Sequence, residues 1–105
     1  MSWLYLLIAG IFEVGWPLGI KLASILPNKI LWAIIAFVAM VLSGLFLFLA
    51  QKEIPMGTAY AIWTSIGVIG AFTIGVIFFN DGFSLIKMLG IILILSGVII
   101  LKLAH

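Results

Sequence analysis

Four long apolar stretches run through the chain, separated only by short polar clusters. The clusters fall at Ser24, Pro27, Asn28 and Lys29, at Gln51, Lys52, Glu53 and Pro55, and at Asn80, Asp81, Gly82 and Ser84. Each apolar run reaches the roughly 20 residues that cross a bilayer core of about 30 Å as a helix. The pattern predicts helices over Trp3–Leu22, Ile30–Ala50, Met56–Phe79 and Leu85–Ala104. Strands are excluded, because backbone groups facing lipid must be satisfied within the segment and four spans are too few to close a barrel. The fold expected is an all-α membrane protein of four transmembrane helices, one domain over residues 1–105. Short connections make sequential helices antiparallel neighbours. With the whole chain taken up by membrane core, any site lies between helices.

Composition agrees with this reading. The chain is 67% hydrophobic and 8% charged, against about 25% charged for a soluble domain. The start, Met1-Ser2-Trp3, carries no basic residue, and an acid interrupts the first run, so this segment reads as a retained helix and not a signal peptide. There is no cysteine, and the single histidine is the last residue, His105, which excludes a disulfide framework and supports no metal or cofactor site. The five basic residues are lysines spread along the chain, with no stripe to hold nucleic acid. No nucleophile–base pair is present, so an enzyme is not expected.

The lysines also bear on orientation. Both termini and the second loop share one side of the membrane, with Lys52 and Lys102. The other side has Lys21, Lys29 and Lys87. A two-against-three split specifies insertion poorly. Either another feature fixes one orientation, or the chain inserts both ways and pairs with its inverted self.

Glu13 stands apart from the other charges. It lies about ten residues into the first run, roughly 15 Å deep and near the midplane. A carboxylate there costs about 2.5–3.5 kcal/mol or more, whereas lysines near helix ends can snorkel. It is either a protonated structural acid or a functional one, and intramembrane acids are functional by default. One helical turn before it are Ala9 and Gly10, which leave space. One turn after it are Trp16 and Pro17. Trp16 offers a π face, although a tryptophan taken alone is more often a packing residue than a cation platform. Pro17 has no N–H for the carbonyl four residues back, which belongs to Glu13, so a kink and a free acceptor are expected beside the acid.

Further residues are placed by helical spacing. Tyr60 and Trp63 stand one turn apart in the third run and can line one wall, and Gly67 on the same stripe permits a helix bend. Ser43 interrupts the second run; it either bonds back to its own turn or reaches the site, where it would orient Glu13. Gly90 and Gly97, with Leu93 and Ile94 between them, mark a helix–helix seam in the fourth run. A single bundle of this size walls a midplane cavity poorly, and a dimer joined along that seam would supply two acids around one chamber.

Taken together, these residues resemble the small multidrug resistance family of proton-coupled cation exporters. The resemblance covers the whole chain and is most specific over Pro55-Met56-Gly57-Thr58-Ala59-Tyr60-Ala61-Ile62-Trp63-Thr64, with Glu13-Val14 and the Gly90–Val98 segment also matching. Trp16, Trp63-Thr64 with Ile66-Gly67, and Lys102 are most similar to the family's guanidinium-exporter branch. The departures are Leu22–Lys29 in place of a Gly-Phe-Thr loop, Ser65 for glycine, Pro17 for alanine, and Asn80-Asp81-Gly82 for an acid followed by proline.

The resemblance implies an antiparallel, dual-topology dimer in a bacterial inner membrane, exporting guanidinium or a small guanidinyl cation against inward protons. Glu13 would bind substrate and proton. Gly10, Trp16, Ser43, Tyr60 and Trp63 would line the chamber. Two carboxylates in one apolar chamber hold charge at a cost, so each is met by a proton or by a share of the cation, and that competition is the antiport. The departures leave three alternatives open. They are a broad exporter of quaternary-ammonium and aromatic cations, one subunit of a heteromeric pair, and a structural or regulatory membrane subunit with no transport of its own.

Overall fold

The computed structural model of the chain describes residues 1–104; His105 lies outside the described residues. It contains α1 (Ser2–Ile25), α2 (Lys29–Ala50), α3 (Met56–Phe78) and α4 (Leu85–Ala104). All four are long and apolar enough to cross a membrane. α1 ends later than its sequence suggests. Lys21 and Ser24 belong to its last turns, where the Ser24 hydroxyl donates to the Lys21 carbonyl at 2.6 Å. The helix stops at Leu26, which is extended (φ −98°, ψ 156°) because Pro27 disfavours a helical residue before it.

The other boundaries also have local causes. α3 closes with Asn80 in the left-handed region (φ 56°), and the N–H groups of Phe79 and Asp81 both reach the Gly75 carbonyl at 3.1 Å. The Asp81 N–H reaches back six residues, one more than the five of a Schellman cap, and so closes a wider turn. Ser84 accepts the Lys87 N–H at 3.2 Å and so caps the start of α4. Thr64, Ser65, Thr73 and Ser96 return their hydroxyl protons to carbonyls four residues back, which keeps them satisfied inside apolar helices. α1 runs unbroken through Pro17. α3 runs unbroken through Gly67, the position expected to bend.

α1 packs against both α2 and α3, while α4 lies along α3. Close approaches fix the register. Gly15 faces Ala39, Gly19 faces Ala36, and the Ser43 hydroxyl meets the Ala9 carbonyl, so α1 and α2 are antiparallel. Gly10 faces Ile66, Glu13 lies on Gly67, and Val14 lies on Gly70, so α1 and α3 run parallel.

The core sits at the end that holds the N-terminus and the loop between α2 and α3. There Leu6, Ala50, Ile54, Ala59 and Ile62 are buried, with Val98 and Leu101 of α4 packed against them. At this end the Lys102 ammonium lies 5.6 Å from the Trp3 ring centroid. The molecule is a slab of 45 × 34 × 16 Å, and α4 contributes no buried residue. Gly90 and Gly97 face open space, and Leu93 is 63% exposed. Ile94 and Gly90 line an open groove with Phe72 of α3.

Candidate functional site

Glu13 reaches from α1 across the face of α3. A Cβ built on Gly67 would lie 2.5 Å from Glu13 Cγ, so the acid occupies the space that a side chain at 67 would need. Neighbouring contacts repeat the device. Ile66 fills the gap at Gly10, and Val14 fills the gap at Gly70. Small residues here let α1 and α3 approach closely enough for the carboxylate to lie between them.

Trp16 Nε1 donates to Glu13 Oε1 at 2.7 Å. The spacing of three residues placed these side chains together, but the contact is through the indole N–H and not the ring face. Such a bond to a carboxylate is of the charge-assisted kind. Among the described residues no other side chain donates to this carboxylate and no cation pairs with it. A carboxylate offers about four lone-pair sites. Trp16 takes one, and the group keeps open acceptor capacity for a donor-rich guest.

One turn towards the N-terminus lies a second polar arrangement. Ser43, 1% exposed, donates to the Ala9 carbonyl at 2.7 Å and accepts from Trp63 Nε1 at 2.8 Å. The bond to Ala9 corrects the expectation that Ser43 orients Glu13, because a hydroxyl has one proton and this one goes to Ala9. Ala9 and Glu13 are four residues apart, so Ser43 holds the turn of α1 that precedes the acid. Trp63 thereby ties α3 to α2, and the Tyr60 ring stands 5.3 Å from the Trp63 ring at a tilt. Tyr60 itself is 56% exposed and faces out of the chain. Glu13 and Trp16 thus form one group, and Ser43, Trp63 and Tyr60 form the next layer.

This arrangement separates two serines by their effect on stability. Ser43→Ala leaves the part-buried Trp63 N–H without its acceptor and should lower unfolding stability in detergent by about 1–3 kcal/mol. Ser65→Ala removes only a bond to its own turn, to the Ala61 carbonyl, and should cost under about 1 kcal/mol. Thermal denaturation of both variants checks this; equal losses would remove the distinction between the two hydroxyls.

The sequence did not point to the α1–α3 crevice at the opposite end. Val14, Pro17, Leu18 and Lys21 of α1 line one side, and Ala71, Ile74, Gly75, Phe79 and Asp81 the other, of a half-open crevice of about 150 Å³. The available signal was the Asn80-Asp81-Gly82 run, whose first residue adopts the left-handed cap that turns Asp81 back over α3.

The fold and site together define a class, a small multi-span membrane protein with a half-buried carboxylate between two helices that keeps acceptor sites open. A family profile described as Small Multidrug Resistance protein matches residues 1–94. The chain belongs to the small multidrug resistance family. It is 42% identical over 104 residues to the guanidinium exporter of Yersinia pestis, covering 99% of each chain. It is 43% identical to the guanidinium exporter of Salmonella typhimurium strain LT2 and 40% identical to that of Klebsiella oxytoca, in each case covering 99% of this chain and 98% of the relative.

Proposed function

We propose that this chain is a bacterial inner-membrane exporter of guanidinium or a small guanidinyl cation, exchanging it for protons and working as an antiparallel dimer. The observation that carries the reading is the Glu13 carboxylate, seated between α1 and α3 with Trp16 as its one side-chain donor among the described residues. Guanidinium is planar with N–H groups in fixed directions, which suits bidentate binding by carboxylates. A proton and the cation compete for the same oxygens, and that competition couples their movements. Trp16 would keep the carboxylate in place in either state. The names of the relatives support export of guanidinium in particular.

Dimerisation is supported by what one chain leaves unfinished. The slab is 16 Å at its thinnest, α4 buries nothing, and Tyr60 points outward from the Trp63 layer. A second, inverted copy meeting α4 around Gly90, Leu93 and Gly97 would close a chamber around two Glu13 side chains, with Tyr60 as part of its wall.

The test is exchange in proteoliposomes containing this chain alone. Guanidinium should be exchanged against a proton gradient, and a quaternary ammonium ion, which has no N–H to donate, should be exchanged at least about tenfold less efficiently. Equal handling of both ions would favour a broad cation exporter. Failure to exchange either would leave a heteromeric or non-transporting subunit as the better reading.

A further inference from the structure

Beyond Glu13, the crevice between the C-terminal halves of α1 and α3 is lined mostly by apolar side chains, with one carboxylate, Asp81, and one ammonium, Lys21. The left-handed turn at Asn80 brings Asp81 back over the last turn of α3, and the Asp81 carboxylate lies against Gly75, where a Cβ could not fit. This puts a negative charge at the negative end of a helix, beside carbonyls that have no helical N–H partner. Further in, Pro17 lines the wall and gives no N–H to the Glu13 carbonyl. The one cationic donor lining the crevice is Lys21, whose ammonium lies 5.7 Å from the Phe79 ring centroid. Lys21 and Asp81 line the same space without forming an ion pair.

We propose that this crevice is a second cation site, a staging position in which the Asp81 carboxylate and the Phe79 ring hold a small planar cation, and that Lys21 is the tethered cation it displaces. The ligand class follows from the lining. A guanidinium-type ion brings N–H donors to the Asp81 carboxylate and a flat face to the Phe79 ring. Lys21 already satisfies the ring, so entry is a cation-for-cation exchange, and the lysine swings out on its flexible stem. The inference rests on the export reading for its physiological role, but binding in the crevice does not require Glu13.

Two measurements test it. In the first, Glu13→Gln protein in detergent micelles is titrated with millimolar guanidinium chloride while the backbone amide resonances of Gly75 and Asp81 are followed. They should shift saturably, they should not shift with sodium chloride at equal ionic strength, and Asp81→Asn should remove the response. In the second, guanidinium exchange by otherwise unmodified protein is measured. Asp81→Asn should raise KM about fivefold with the maximal rate within about twofold, because a binding interaction is lost and not one specific to a later step. Lys21→Gln should lower KM. Glu53→Gln, an equal change of charge in the loop at the other end, should leave KM in place. No saturable shift, or an equal KM change in Asp81→Asn and Glu53→Gln, would overturn the staging site. Saturable shifts in a protein that exchanges no guanidinium would instead keep the site and overturn the export reading.

Discussion

Glu13→Gln should reduce guanidinium exchange by at least about a hundredfold while the helices remain folded. Glutamine has nearly the shape of glutamate and keeps a carbonyl oxygen able to accept from Trp16 Nε1, which now sits 2.7 Å from Glu13 Oε1. The seat on Gly67 is equally served, since the Cβ and Cγ atoms are unchanged. What disappears is the charge that attracts the cation and the site that carries the proton, so both halves of the exchange fail together. Glu13→Asp separates charge from position. It keeps the carboxylate but shortens the arm by one methylene, drawing the group away from the indole, and should leave weak exchange. Proteoliposome flux and thermal unfolding in detergent, measured on the same preparations, check both variants. Undiminished flux in Glu13→Gln would remove this carboxylate from the mechanism and favour a structural role for the acid.

The helices were legible because membrane spans announce themselves by length and apolarity, and the four runs needed no periodicity to be found. The end of α1 was misread for a specific reason. Ser24 looks like a loop residue, yet its hydroxyl satisfies itself on the Lys21 carbonyl, so it fits the end of a helix. The meeting of Glu13 with Trp16 was legible from spacing. The donor atom was not, because sequence spacing fixes which side chains meet and not the rotamer in which they do. The bond from Ser43 to Ala9 joins residues 34 positions apart. No local signal carries it, since a serine in a transmembrane helix has its own turn as a ready partner. Asp81 was hidden in the same way, as it looks like an ordinary loop acid until the left-handed turn at Asn80 folds it back.

Gly67 was read as a place where α3 could bend, and its position against Glu13 gives it a different expected effect. Gly67→Ala should cut guanidinium exchange about tenfold to a hundredfold. The added Cβ would sit 2.5 Å from Glu13 Cγ, with Glu13 Cβ at 3.5 Å and Cδ at 3.6 Å. The close atom is in the middle of the side chain, so moving the carboxylate tip does not relieve the clash. Either Glu13 rotates about its first torsion and leaves Trp16, or α1 and α3 separate and open the interface that also holds Gly10 against Ile66 and Val14 against Gly70. Overpacking of this kind costs about 1–3 kcal/mol, so unfolding must be measured beside transport. Gly44→Ala is the control, because a Cβ there meets nothing within 4 Å; it should exchange within about twofold of the parent, as expected for a surface change with no partner to disturb. If Gly67→Ala were destabilised yet exchanged guanidinium with unchanged KM, Gly67 would serve helix packing alone. If KM rises and the fluorescence of the tryptophans no longer responds to guanidinium, the glycine is what holds Glu13 in its binding position.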